Sequence, residues 1–210
     1  HHSVRGRKPT GCLSLVRSGC HRTHSTEGEA CVFWVRCEAD RLQFWRDAIV
    51  LQGDDLDSLK TYSSHAYPDL YFHLGVLGNL AGLPGGYPAL RTNVRSAFST
   101  LNDDGCWAFT ASPPALSRNE LPGPDLGAAP TNQNIETRFR GLGLILTPEN
   151  PNVYADRNGR QDREIQIAQR TLYCGWHLKL EPHRNRIHVH PPVPDSGNRL
   201  IIAIISEHLY

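Results

Sequence analysis

Residues 173–205 read YCGWHLKLEPHRNRIHVHPPVPDSGNRLIIAII. Two runs inside this stretch, WHLKL (176–180) and RIHVH (186–190), alternate apolar and polar side chains. That period of two belongs to strands with one buried face. Trp176, Leu178 and Leu180 point one way, and His177 and Lys179 the other. Ile187 and Val189 point one way, and Arg186, His188 and His190 the other. The joining residues 181–185, EPHRN, have turn composition. In a hairpin the apolar faces must coincide, because a one-residue slip would carry cations into the core. His177, Lys179, Arg186, His188 and His190 are therefore predicted to share one solvent-reachable face. A register with Lys179 opposite His188 and His177 opposite His190 satisfies that parity.

Working outward, RLIIAII (199–205) reads as an apolar central strand, and REIQIAQ (163–169) and FRGLGLILT (139–147) read as further strands. Short connections favour an antiparallel meander over about residues 139–206. Residues 148–159 read as a loop. Upstream the pattern changes. Leu70, His73, Leu74, Leu77 and Leu80, then Leu90, Val94, Ala97, Phe98 and Leu101, recur at helical spacing. They predict a helical hairpin over 69–101, with Asn102-Asp103-Asp104-Gly105 as its stop and CWAFT (106–110) as a short strand. CVFWVRC (31–37) and RLQFWRDAIVL (41–51) have the aromatic and β-branched content of an N-terminal strand pair. Asp54–Asp57 reads as an acidic loop. The expected class is α+β. It comprises an extended basic arm (1–30), a strand pair plus helical hairpin (31–111), a Pro-rich loop or linker (112–134) and a sheet (135–210) carrying the candidate site. The whole can still form one compact domain.

Composition bounds the possibilities. With 39% hydrophobic and 20% charged residues and a net charge of +1, the chain has the makings of a core and no whole-molecule attraction to nucleic acid. Any basic patch must be local. The basic residues are nineteen Arg and three Lys (Lys8, Lys60, Lys179), a bias that a GC-rich genome explains before nucleic-acid contact does. No run approaches the roughly 18–20 apolar residues of a membrane span. A soluble cytoplasmic protein, with no membrane partner, is the expectation. Cys12, Cys20, Cys31 and Cys37 lack the close pairs of a zinc knot, so unpaired thiols are expected there and no four-thiolate site.

The five-residue face is a sensible kit for phosphodiester chemistry. A neutral His can take the proton of an attacking 2′-hydroxyl, a protonated His can supply the leaving 5′-oxygen, and Lys179 and Arg186 can hold the charged phosphate. His188 or His190 is the expected acid or base. That chemistry calls for no cofactor and no metal. It makes the chain a candidate metal-independent ribonuclease or phosphodiesterase-like, toxin-like protein. RIHVH, then RLIIAII, then a terminal His is similar to the C-terminal hairpin of RelE-like toxin ribonucleases, over this short stretch and without a specific motif.

Other readings compete. A polar sheet face often needs no role beyond meeting water. The same Arg/His-rich face can grip RNA or another acidic partner without chemistry, in a salt-dependent way. His188-x-His190, with His177 or His208, has the ligand types of a zinc hydrolase. His190, Asn198 and His208 occur in the order of an HNH nuclease, but RLIIAII is strand-like where that motif needs a helix. Asp156, Asp162, Glu164 and Gln166 loosely suggest a restriction-type site, and read better as a solvated charged loop. His73 reads as a core histidine on a helix, and Gly85-Gly86 as a turn.

Overall fold

The computed structural model describes residues 11–13, 19–26, 28–120, 127–182 and 184–207. The first ten residues of the basic arm, residues 121–126 of the Pro-rich loop, His183 and His208 lie outside the described residues. The chain divides into two compact units, 1–68 and 69–210, so the division falls at Pro68/Asp69 rather than in the Pro-rich segment. The class is α+β, as expected.

In the first unit, β1 (Gly11–Leu13) and β2 (Gly19–Ser25) flank β3 (Gly28–Val35), β1 parallel and β2 antiparallel. Much of the expected arm is therefore sheet. The second half of the expected strand pair is not: residues 41–51 lie in helix α1 (Glu38–Leu51). Strand propensity there gives way to tertiary packing, because Phe44 stacks edge-on against Phe33 with ring centroids 5.4 Å apart and Ile49 is fully buried. The expected acidic loop starts helix α2 (Leu56–Ala66). Asp55 is its cap, accepting from the Ser58 amide at 2.8 Å while the Ser58 hydroxyl accepts from the Asp55 amide at 3.1 Å. Cys20 is disulfide-bonded, contrary to the expectation of unpaired thiols, while Cys37, Cys106 and Cys174 are free.

The second unit is built on a five-stranded sheet, in spatial order β4-β10-β9-β8-β5. Its strands are β4 (Leu70–Phe72), β5 (Leu146–Pro148), β8 (Trp176–Lys179), β9 (Arg186–His190) and β10 (Leu200–Ser206). All pairs are antiparallel except β4 with β10. A separate hairpin of β6 (Glu164–Ile167) and β7 (Arg170–Tyr173) completes the run of antiparallel strands.

The expected helical hairpin is half right. Its first arm is strand β4, the left-handed Gly75 and a 3-10 turn, Val76–Gly82. Its second arm is helix α3 (Gly86–Thr110), with Leu90, Val94, Ala97, Phe98 and Leu101 buried on one face. The helix runs through the expected stop and the expected strand CWAFT. Asn102, placed to end it, instead turns inward and accepts from the Asp69 amide at 2.9 Å. Gly105 lets α3 approach β10: a Cβ there would meet Leu200 Cδ2 at 2.7 Å. The expected strand 139–147 begins in the end of helix α4 (Asn132–Gly141), capped by Thr131, turns over 142–145, and is extended only from Leu146, in β5. The expected loop 148–159 holds the two short helices α5 (Pro151–Ala155) and α6 (Arg157–Gln161).

The sheet has two different faces. One carries Leu146, Leu178, Ile187, Val189 and Ile202 and shares its apolar layer with α3 and α4, where Phe72 meets Phe98 and Phe109 meets both Phe139 and Trp176. On the other, Ile201, Ile204 and Tyr71 pack with Ile165, Ile167 and Leu172 of the β6–β7 hairpin. Beside that second small core lies the polar constellation.

Candidate functional site

The turn at 181–185 closes one residue pair earlier than expected. Leu180 N donates to Asn185 O at 2.9 Å, with Asn185 in the left-handed region at φ +58°. The register is therefore His177 opposite His188 and Lys179 opposite Arg186, two residues from the expected alignment. Such a shift preserves parity. His177, Lys179, Arg186, His188 and His190 occupy one side of the two strands, and the His177 and His188 ring centroids are 5.8 Å apart.

The face is not the open surface that parity alone suggests. His188 is 1% exposed, and Lys179, Arg186, His177 and His190 are half-buried. The hairpin packed beside it explains the difference, since alternation reports which way a side chain points and not what covers it.

Three residues that the sequence reading missed complete the arrangement. Thr147 stands opposite His177 across β5 and β8, and its Oγ1 lies 3.0 Å from His177 Nε2. Glu149 Oε2 lies 3.8 Å from His177 Nδ1, an ion-pair distance rather than a hydrogen bond. Arg163 Nε donates to the same Glu149 carboxylate, and Arg163 Nη1 donates to Gly159 O at 2.8 Å. Glu149 is positioned by its own amide, which donates to Gly175 O at 2.8 Å. A Thr147–His177–Glu149–Arg163 chain therefore runs along the edge of the sheet. The signal for Thr147 lay in the alternation Leu146-Thr147. Pairing that strand with 176–180 by parity would have set Thr147 beside His177. Glu149 and Arg163 sat in segments read as a loop and as a solvated charge run, and nothing local marks them.

Burial sets the protonation states. It pushes His177 down to about 4; Glu149 opposes that, and Arg186, Lys179 and Arg163 reinforce it. It pushes His188 down to about 3, with His177 and Arg163 adding to the effect. Burial also lowers His190, whose Nδ1 lies 2.7 Å from Pro191 O, and Arg170 lowers it further. For Glu149, burial acts upward but is outweighed by the hydrogen bond and charge of Arg163, so the carboxyl titrates below its ordinary value. Burial pushes the Cys174 thiol up to about 12, so it is no thiolate nucleophile at neutral pH.

Several buried nitrogens of this face have no hydrogen-bond partner among the described residues: Nδ1 of His177, both ring nitrogens of His188, and Nε and Nη1 of Arg186. The Cys174 backbone lies near enough to His188 to favour its charged form slightly, without an aligned bond.

Among the described residues no three of His, Cys, Asp and Glu converge as metal ligands. His188 and His190 alternate with Val189 along one strand without a third ligand among the described residues, and His208, the other ligand considered for a zinc hydrolase, lies outside them. His190, Asn198 and the strand at 200–206 do not form the helical unit of an HNH site. Asp156 caps α6 by accepting from the Gly159 amide, and Gln166 donates to Thr171, so the restriction-type set is dispersed. His73 lies after β4 rather than on a helix, its Nε2 3.2 Å from Gln166 O.

No family model, curated protein or solved structure matches the chain. No helix among the described residues is long and apolar enough to cross a membrane.

Proposed function

We propose that the His177 face is a metal-independent, phosphodiester-cleaving site acting on RNA. One observation carries the reading: His177, held neutral at physiological pH, is bonded through Nε2 to a hydroxyl and stands next to Lys179 on a strand paired with Arg186. The Thr147 hydroxyl marks the position a substrate 2′-hydroxyl takes up. His177 Nε2 accepts that proton as the 2′-oxygen attacks phosphorus. Glu149, facing Nδ1, stabilises the imidazolium that forms. Arg186 holds the phosphate oxygens, and Lys179 protonates the leaving 5′-oxygen. The products are a 2′,3′-cyclic phosphate and a 5′-hydroxyl.

The proton-transfer role falls to His177 rather than to His188 or His190. His188 is enclosed and serves here as the wall behind His177. The alternative of a binding module shares the face and predicts association without cleavage.

The test is incubation of the protein with labelled single-stranded RNA, with and without EDTA. Cleavage that survives EDTA and falls about 10²–10⁴-fold in His177→Ala supports the proposal, that being the usual scale for a lost general base. Binding without cleavage supports the module. Cleavage abolished by EDTA contradicts the mechanism.

A further inference from the structure

A cleft of about 230 Å³ opens beside the end of β8. Helix α3 lines it with Asn93 and Ser96, the turn after α4 with Leu144, and the strand end with Leu178, Lys179 and Leu180. We propose that this cleft receives a single nucleobase of an RNA strand whose phosphate lies over Lys179 and Arg186. The inference rests on the ribonuclease reading and names the part of the substrate that reading leaves open.

Size is the first argument. Pockets for drug-sized ligands run to about 300–1,000 Å³. This cleft is smaller, so its occupant is one ring system rather than a whole nucleotide. Chemistry is the second. The lining is mostly polar, with Leu178 and Leu180 buried behind it, and Asn93 and Ser96 sit one turn apart on α3. Asn93 Nδ2 donates to Leu180 O at 3.0 Å, which fixes the amide and leaves Oδ1 as an acceptor. Ser96 is exposed and adds a hydroxyl. A fixed amide, a hydroxyl and a mostly polar lining suit a ring with donors and acceptors on its edge, as bases of single strands present. An aromatic side chain of a protein partner would fill the same space and leave both polar groups unanswered.

Topology is the third argument. β5 covers β8 only as far as Leu146 opposite Leu178, and the last contact beyond is Lys179 N donating to Ile145 O at 3.0 Å. The sheet edge is low there. Lys179 borders the cleft and also belongs to the polar face, opposite Arg186. A nucleotide straddling this edge places a neutral base on the α3 side and its charged phosphate on the cationic side.

The experiment is an NMR titration of the isotope-labelled full chain with nucleoside 5′-monophosphates, the matching nucleosides and inorganic phosphate. Nucleotides and nucleosides are expected to shift Asn93 and Ser96, and phosphate alone to shift Lys179 and Arg186. Ser96→Phe fills the cleft from an exposed position. It is expected to weaken nucleotide binding tenfold or more and to leave the phosphate response unchanged, and Asn93→Asp provides a second variant of the same shape. Asn93 and Ser96 unmoved by every nucleoside and nucleotide would overturn the inference. So would an aromatic peptide shifting them where nucleosides do not. RNA cleaved in EDTA with the cleft silent would overturn the cleft and leave the ribonuclease reading standing. Nucleotides bound in the cleft without any cleavage would support the cleft and contradict the ribonuclease reading.

Discussion

Strand β9 buries three consecutive residues to the same degree and for different reasons: Ile187 and Val189 are 0% exposed and His188 is 1%. Ile187 and Val189 face the apolar layer shared with α3. His188 faces His177, Arg163 and Glu149, where burial is opposed by unpaired polarity. Equal burial therefore does not mean equal contribution. The apolar face gains hydrophobic free energy, while the polar face is held by one buried ion pair and keeps its histidines neutral at a cost.

That contrast can be broken most forcefully at Arg163. Removing it leaves Glu149 charged and enclosed, and breaking a buried pair in this way typically costs about 3–5 kcal/mol. Arg163→Ala is expected to lower the urea midpoint by an amount of that order and to loosen His177. A stability equal to wild type would show that the pair is exposed in solution. On the other face, Ile187→Ala is expected to cost about 2–5 kcal/mol, as a core truncation. Its His177 environment should be unchanged, because the side chain points away from it.

The third test uses pH. His177 and His188 have folded values below their unfolded value, so the unfolded chain binds more protons once the pH drops under about 6.5. Their contribution is complete above that value and is lost as the pH falls toward about 4 for His177 and about 3 for His188. The lowered Glu149 acts in the same direction at lower pH. Each His is expected to remove about 1.4 kcal/mol per pH unit over its window. His188→Leu should flatten that slope and change stability little at pH 7, because it replaces two unsatisfied nitrogens with an apolar group of similar size. An unchanged slope in His188→Leu would mean that His188 is already solvated in the native protein.

The two faces also differ in how legible they were. Parity located both sides of the β8–β9 hairpin correctly, because it depends only on alternation. Register depended on how residues 181–185 turn, and the left-handed Asn185 left no mark that alternation could read. Burial of the polar face depended on the β6–β7 hairpin, whose docking is a long-range event. The same limit governed RLQFWRDAIVL, where aromatic and β-branched content outweighed a helical spacing of Leu42, Trp45 and Ile49. For α2, by contrast, a local signal was present and overlooked: Asp55-x-x-Ser58 is a reciprocal cap. Glu149 and Arg163 are fourteen residues apart and gain meaning only once Gly175 anchors the first and Gly159 the second.

The most direct measurement is a histidine titration by NMR on the intact chain, following the ring nitrogens and carbons of His177 and His188 from pH 8 to pH 2. A face that holds its imidazoles neutral behind a buried Glu149–Arg163 pair should give a His177 midpoint near 4 and a His188 midpoint near 3, with His177 Nδ1 protonated and Nε2 accepting at pH 7. Midpoints close to the ordinary 6.5 for both rings would contradict the account, because they would place the histidines in water rather than in the network described.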